Sequence, residues 1–311
     1  MNHSDWLVSA LLLNWNGADA TCRCLKSLSE QTYPPDWLEV IVVDNGSGEN
    51  LTALQTTLER YGKARGWRKA RMVRLPSNVG IPAGYNAGLQ QASPEADAFL
   101  RLDNDTVLEK RFIERTVQTM QRFPSLAVLG GPQVRGDGTG IQLPYAIRWR
   151  KAGFFRPLSM DDADDPIDCD TLQGCALLIR KEALHGMRAA FDPGLLVLHD
   201  ETDLLIRLKK AGWRVGCLTS ARCFHQGNVS TGRIPRFFRY IDARNRALLM
   251  RRYAPFPDRI QSHWLILRSL LRSLIDADFF SARGFMDGLV GDCWSPRATL
   301  ALPQRPEGGT G

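Results

Sequence analysis

Over its first hundred residues the chain repeats one unit, a short apolar run closed by a polar turn and followed by a segment with helical spacing. "WLVSALLLNWNG" gives way to "ADATCRCLKSLSEQ", in which Cys22, Leu25 and Leu28 fall on one helical face. "LEVIVVDNGSGEN" is followed by "ALQTTLERYG", "ARMVRLPSN" by "AGYNAGLQQA", and the last run is "DAFLRLDNDT". Strands separated by helices pair in parallel, so the pattern predicts an α/β protein on a largely parallel sheet. Ligands of such sheets bind beyond the carboxyl ends of the strands, where loops and helix N-termini converge. The polar clusters lie at those ends: Asn14-Trp15-Asn16, Asp44-Asn45-Gly46-Ser47, Asn78-Val79-Gly80 and Asp103-Asn104-Asp105. Each alone is also what a turn or a helix cap looks like, but four in succession point to one crevice.

Beyond Thr106 the spacing predicts a helix through "FIERTVQTMQRF", then a strand and loop in "LAVLGGPQVRGDGTG" and an irregular stretch to about Asp170. "GCALLIRKEALHGM" reads as a strand running into a helix. "DETDLLIRLKKAGWRVGCL" reads as a helix closed by Gly212 and leading into a strand, and "ARCFHQGNVSTG" as a strand with a polar exit. From Arg233 onward the pattern is mostly helical, including "HWLILRSLLRSLI", and the last residues, "LPQRPEGGTG", have the composition of a disordered tail. The expected division is one α/β domain over 1–232, in two halves over 1–105 and 106–232, and a basic helical extension over 233–311.

With 311 residues and 44% hydrophobic composition the chain can bury a full core. It has no run of about eighteen uninterrupted apolar residues, and its start lacks the basic region and cleavage site of a secretion signal. Seven cysteines without a Cys-x-x-Cys pair indicate neither a disulfide framework nor a zinc ribbon, which fits a cytoplasmic location. From Arg233 to the end there are 13 Arg and no Lys against 7 acids, so most of the net charge of +7 sits there. Such a segment suits anionic lipid or a phosphorylated substrate, and equally a solvated helix surface; nucleic acid is not an expected partner.

Two acids at i and i+2 leaving a strand lie on one side of the chain. A hard divalent cation takes oxygen ligands and bridges to phosphate, so Asp103 and Asp105 form a candidate hook for Mg²⁺ or Mn²⁺. The same acids also fit a solvated loop, with Asp105 as N-cap of a helix beginning near Leu108.

Taken with "VVDNGS", "SNVGIPAGYNAGL", "HDETDLLIRLKKAGW" and "CFHQGNVS", in that order, "DNDT" gives a combination that resembles the family 2 glycosyltransferases. These are inverting enzymes of GT-A fold that use nucleotide-activated sugars. The resemblance covers roughly residues 6 to 253 and is strongest to the rhamnosyltransferase-like branch that builds bacterial surface polysaccharides. It implies a mostly parallel central sheet flanked by helices, with a C-terminal helical extension. It also implies that Asp44 meets the base or ribose of the donor, that Asn78, Gly80 and Asn86 shape the donor pocket with Asn14, Asp103 and Asn104, and that Asp103, Asp105 and His225 hold the metal. A histidine following a strand is also commonly structural.

Where relatives read Glu-Asp-x-Asp, this chain has Asp200-Glu201-Thr202-Asp203, so the residue in the position of the catalytic base is Glu201. Acids in a first helical turn also favour the helix dipole, and Asp200 and Asp203 remain alternatives for the base. Arg244 and Asn245 in "YIDARNRALL" echo a recurring element of the family but are kept outside the catalytic set, since an arginine on an exposed helix face is the commoner arrangement.

The implied activity is metal-dependent, inverting transfer of a sugar from a nucleotide-diphosphate donor, dTDP-rhamnose first among them, to a hydroxyl of a glycan or lipid-linked acceptor. A sugar-1-phosphate nucleotidyltransferase would carry a Gly-rich, basic loop where this chain has "NWNG", and a dinucleotide-dependent oxidoreductase would carry Gly-x-Gly-x-x-Gly there. A non-catalytic nucleotide-sugar-binding protein is the third alternative, should the Asp200-Glu201 exchange disable the base. The irregular region 135–170 is expected to set acceptor specificity. The basic extension is expected either to attach peripherally to the inner face of a membrane or to pack as a helical subdomain on the core or on a second copy, giving a homodimer.

Overall fold

A computed structural model of the protein describes residues 6–135, 146–150, 154–157, 165–225, 235–254 and 258–291, with 146–150 and 154–157 as backbone only. Most of the 135–170 region, Gln226–Ser230, the boundary at 232/233, Cys293 and the "LPQRPEGGTG" tail lie outside the described residues.

The repeated unit folds as its pattern predicts. Strands β1 (Val8–Asn14), β2 (Leu38–Asp44), β3 (Lys69–Arg74) and β4 (Ala98–Asp103) alternate with helices α1 (Ala18–Ser29), α2 (Thr52–Arg65) and α3 (Ile81–Leu89). After β4 come β5 (Thr106–Leu108), α4 (Phe112–Arg122), β6 (Leu126–Gly130), β7 (Gln133–Arg135), β8 (Ala146–Arg150) and β9 (Phe154–Pro157). Next are β10 (Ile167–Asp168), β11 (Thr171–Leu172), β12 (Ala176–Arg180), α5 (Asp200–Lys210), β13 (Arg214–Cys217) and β14 (Cys223–His225). Helices α6 (Pro235–Tyr253), α7 (Asp258–Ile275) and α8 (Phe279–Val290) complete the described chain.

The central sheet has the order β10-β13-β6-β12-β4-β1-β2-β3, with β1, β2, β3 and β4 parallel and β12 antiparallel to both β4 and β6. Alternate residues of each strand enter opposite cores, as the two-residue period of a strand requires. Val8, Ala10 and Leu12 pack with Leu25, Leu54 and Phe112 on one side, and Leu7, Leu11 and Ile41 with Tyr85 and Leu204 on the other. Burial of every residue of β2 explains its unbroken apolar run.

Two sequence expectations are corrected. Thr106–Leu108 is a strand and not the start of a helix, because β14 offers it an antiparallel partner; the helix starts at Phe112, and Asp105 does not cap it. "KEALHGM" makes a single 3-10 turn over Lys181–Leu184, since the chain turns away at Gly186, whose φ of +76° is left-handed.

A three-stranded sheet, β5-β14-β7, sits at the carboxyl edge of the main one. Its register sets His225 opposite Thr106, next to Asp105. A second small sheet has the order β11-β8-β9.

The extension is helical, as expected, and α6 and α8 touch closely: a Cβ at Gly284 or Gly288 would collide with the carbonyl oxygen of Tyr240 or Arg244. Contrary to the surface position expected for it, Arg244 is only 1% exposed, and Asn245 beside it is fully enclosed. Both bind the loop that leads into α5. Asn245 Nδ2 lies 2.9, 2.8 and 2.9 Å from the carbonyl oxygens of Leu195, Val197 and Leu198, and Arg244 NH1 lies 3.1 Å from that of Gly194.

This loop is strained. Leu196, Leu198 and His199 have φ values of 61°, 65° and 63°, a region unfavourable to residues with a side chain beyond glycine. Such conformations cost on the order of 1–3 kcal/mol each and persist only where the surroundings over-determine them. Asn245 supplies that constraint. Asn245→Ala, which removes a donor from three loop carbonyls, of which that of Leu195 keeps the Val197 amide, is expected to lower the unfolding free energy by about 1–3 kcal/mol. Urea denaturation measures this, with hydrogen exchange expected to rise selectively over residues 194–200.

Candidate active site

At the donor side, parallel pairing sets Asn14 beside Asp44. Asn14 Nδ2 donates to Asp44 Oδ1 at 3.0 Å and to Ser47 Oγ at 3.2 Å, while Thr21 Oγ1 donates to Asn14 Oδ1 at 2.8 Å. Asn104 Nδ2 donates to Thr21 Oγ1 at 3.0 Å, so three strand ends are joined by one chain of amide and hydroxyl bonds. The second oxygen of the enclosed Asp44 faces the Ser47 amide at 3.3 Å and Arg74 Nε at 3.4 Å. Asn78 accepts from Asn45 Nδ2 and from the Gly80 amide, tying the second and third strand ends together.

Gly80 has a φ of +87°, and a Cβ there would lie 2.6 Å from the carbonyl oxygen of Leu196, so a side chain would drive the donor loop off the loop before α5. Asn86 stands apart from the other donor-side residues. Its amide donates to the Phe191 carbonyl at 2.7 Å and accepts from the Phe191 amide at 3.1 Å, a clamp between α3 and the following half of the molecule.

Asp103, Asp105 and His225 come together, each presenting one ligand atom within 4.8 Å of the others. His225 Nε2 is 3.0 Å from Asp105 Oδ1, and Gln133 on β7 contacts the opposite ring nitrogen. Tyr85 donates to Asp103 Oδ1 at 2.8 Å, and burial holds its hydroxyl protonated by raising its pKa well above the usual value.

Burial also raises the Asp103 carboxyl above its ordinary range, against the opposing pull of Arg101 and His225. Burial would lower the imidazole of His225, but its hydrogen bond to Asp105 and the nearby Cys175 and Asp103 outweigh that and raise His225 to about 9. Two carboxylates and an imidazole within reach of one another suit Mn²⁺ or Mg²⁺.

The three acids of the α5 N-terminus have separate fates. Asp203 is 1% exposed and closed in by Arg207 Nε at 2.8 Å and the Tyr253 hydroxyl at 2.6 Å. Asp200, also 1% exposed, faces Arg101 NH1 at 3.0 Å. Glu201 keeps 17% of its side chain exposed and is the more distant partner of Arg101, at 3.8 Å. Burial and the adjacent Asp200 raise its pKa, while Arg101 and then His199 oppose that rise. His199 itself is held by Asp242 of α6 at 2.8 Å.

Arg101, Tyr85 and Gln133 were not among the candidates read from the sequence. For Arg101 a signal existed: a charged residue inside an otherwise apolar strand, two positions before Asp103 and therefore on the same face. Tyr85 and Gln133 carry none, because their roles depend on which strand or helix packs beside them.

The family model for glycosyl transferase family 2 matches residues 9–186. An N-acetylglucosaminyl-diphospho-decaprenol L-rhamnosyltransferase of Mycobacterium tuberculosis is 26% identical over 242 residues, covering 68% of this chain and 74% of its own. Among solved structures, a mannosyltransferase of Pyrobaculum calidifontis in complex with GDP-Man and Mn²⁺ matches with a TM-score of 0.58 at 15% identity, over 92% of this chain and 74% of its own. TarS of S. aureus matches with a TM-score of 0.56 at 18% identity over 81% of this chain, which spans 40% of the TarS chain. The fold is therefore GT-A.

The raised pKa of His225 has a testable consequence. A group raised on folding contributes stability that is complete below its unfolded value, near 6.5, and is lost as pH climbs through about 9. A divalent cation must displace that proton, so it competes best where the proton is leaving. The gain in melting temperature on adding Mn²⁺ to chelator-treated protein is expected to be larger at pH 8.5 than at pH 6.5. Equal gains at both pH values in a thermal-shift assay would contradict this.

Proposed function

The chain belongs to glycosyl transferase family 2 and is a glycosyltransferase, and on that footing we propose that it moves a sugar, with inversion, from a nucleotide-diphosphate donor to a hydroxyl of a lipid-linked glycan. dTDP-rhamnose is the leading donor, from the likeness to a relative named as a rhamnosyltransferase acting on a diphospho-decaprenol. The observation that carries the reading is the pairing pattern of the acids. Asp103, Asp105 and His225 come within reach of one another, while among the three acids on α5 Glu201 is the one that keeps part of its side chain exposed, and its pKa is raised.

In the proposed reaction the Glu201 carboxylate accepts the proton of the acceptor hydroxyl as that oxygen bonds to the anomeric carbon and the bond to the donor phosphate breaks. Asp200 and Asp203 are poorer bases because both are enclosed, Asp200 against Arg101 and Asp203 against Arg207 and Tyr253. Asn14, Asp44, Asn78, Gly80 and Asn104 shape the donor pocket, and Asn86 supports it from behind through Phe191. Asp103, Asp105 and His225 would hold Mg²⁺ or Mn²⁺, which when bound neutralises charge on the departing diphosphate. Tyr85 fixes the orientation of Asp103 for that task.

The extension belongs to the same reading. Among the described residues no helix is long and apolar enough to cross a membrane. Yet Ile260, Trp264, Leu267, Leu271 and Leu274 are exposed along one stripe of α7, at steps of four, three, four and three residues, and Phe279 and Phe280 extend it. Exposed Arg268 and Arg272 flank the stripe. An apolar face with aromatic residues and arginine at its edge suits the surface of an anionic bilayer holding the acceptor. Through α6 this surface is joined to the loop that carries the base.

A panel of nucleotide sugars with Mn²⁺ tests the chemistry. Glu201→Gln is expected to lower kcat by roughly 10²- to 10⁴-fold while nucleotide binding persists, and Asp105→Ala to abolish Mn²⁺-dependent nucleotide binding without unfolding. Near-full transfer by Glu201→Gln would sink the base assignment. For the extension, the full chain is expected to sediment with phosphatidylglycerol-containing vesicles, and Leu267→Glu/Leu271→Glu to stay in the supernatant. A dimer that the double variant dissolves, with no vesicle binding by either protein, would give the stripe to a second copy.

A further inference from the structure

We propose that Arg101 is a positioning residue for the base: its buried guanidinium sets a fixed positive charge 3.0 Å from Asp200 and 3.8 Å from Glu201 and steers the Glu201 carboxylate by charge rather than by a hydrogen bond. Its role in turnover rests on the glycosyl-transfer reading, but its effect on Glu201 is measurable without turnover.

The setting of Arg101 is unusually closed for a cation. The side chain is 4% exposed and its guanidinium lies over the rings of Tyr85 and Phe191, 4.7 and 5.2 Å from their centroids. Gly174 packs against it, and a Cβ there would sit 3.1 Å from Cζ and both terminal nitrogens. A guanidinium boxed in this way cannot swing toward solvent, and a planar cation suits a place over two touching rings, whose centroids are 5.6 Å apart, better than an ammonium does.

From that place NH1 reaches Asp200 at 3.0 Å and Glu201 at 3.8 Å. The same Tyr85 that covers Arg101 donates its hydroxyl to Asp103 at 2.8 Å. One residue of β4 thus links the acids at the start of α5 to the acids at the end of β4.

The charged groups facing Glu201 are Asp200 and His199 from its own helix end and Arg101 from β4. Asp242 of α6 holds His199. Burial and Asp200 favour protonated Glu201, and Arg101 is the larger of the two side chains opposing them. Without it two adjacent buried acids would share a site with no buried counter-charge, the condition that drives one of them neutral. A neutral Glu201 cannot accept the acceptor's proton.

The test titrates the carboxyl carbon of Glu201 in full-length ¹³C-glutamate-labelled protein, with the signal identified by its loss in Glu201→Gln. Arg101→Met is expected to raise the titration midpoint by about one pH unit or more, and Asp200→Asn to lower it. Arg101→Met/Asp200→Asn is expected near the wild-type midpoint. It should also fold, since both ends of the buried pair are neutralised together. Arg101→Lys is expected to restore most of the midpoint.

In turnover, the acidic limb of kcat against pH is expected to follow the same directions, with the donor KM little changed. Midpoints that stay at the wild-type value in Arg101→Met and Asp200→Asn would overturn the proposal. If Arg101→Met does not fold, Asp200→Asn and the double variant decide the matter. The expected midpoint shifts in a chain that transfers no sugar from any donor would count against the transfer reading alone and leave the Arg101–Glu201 coupling standing.

Discussion

Buried negative charge at the carboxyl edge of the sheet is the constraint that organises this protein. Asp103, Asp105, Asp200 and Glu201 lie on two different halves of the chain, and Arg101 is the cation shared between those halves. Like charges in a poorly solvated site repel by several kcal/mol unless a counter-charge or a proton intervenes. Arg101 balances the α5 side, while Asp103 and Asp105 lean on the protonated His225. The second arrangement is the less settled one, which is why that end of the site suits a divalent cation.

The same region is held by backbone strain working against side-chain clamps. The turn into α5 places three residues with side chains in the left-handed region, and only a dense set of hydrogen bonds keeps it so. Those bonds come from α6, outside the sheet. The C-terminal helices are thus part of the site's framework: Asn245, Asp242, Tyr253 and Arg252 grip the α5 entrance at several points, while Gly284 and Gly288 let α8 press α6 into place. Removing the extension would release the turn into α5, whatever else the exposed stripe of α7 does.

Much of this was legible in residues alone. The alternating apolar and helical segments gave the order of strands and helices through β4, because a doubly covered parallel sheet requires unbroken apolar strands. The polar strand ends marked the crevice, and the ordered motifs pointed to the GT-A fold and to Asp103, Asp105 and His225 as a set that the structure brings within reach of one another. The errors came where local pattern competed with a distant partner. Thr106–Leu108 became a strand because β14 pairs with it, and Arg244 became buried because the α5 loop covers it.

By itself the sequence determined the periodicities: which segments are strands or helices, which faces are apolar, and which acids leave the strand ends, since these depend on neighbours a few positions apart. Only the tertiary structure decided that Asp200 and Asp203 are enclosed while Glu201 keeps part of its side chain exposed, and that Arg101 and Tyr85 meet at the same site. Those outcomes depend on groups a hundred residues apart meeting in one low-dielectric pocket, where burial and the charges brought alongside, and not the local sequence, shift Asp103 and Glu201.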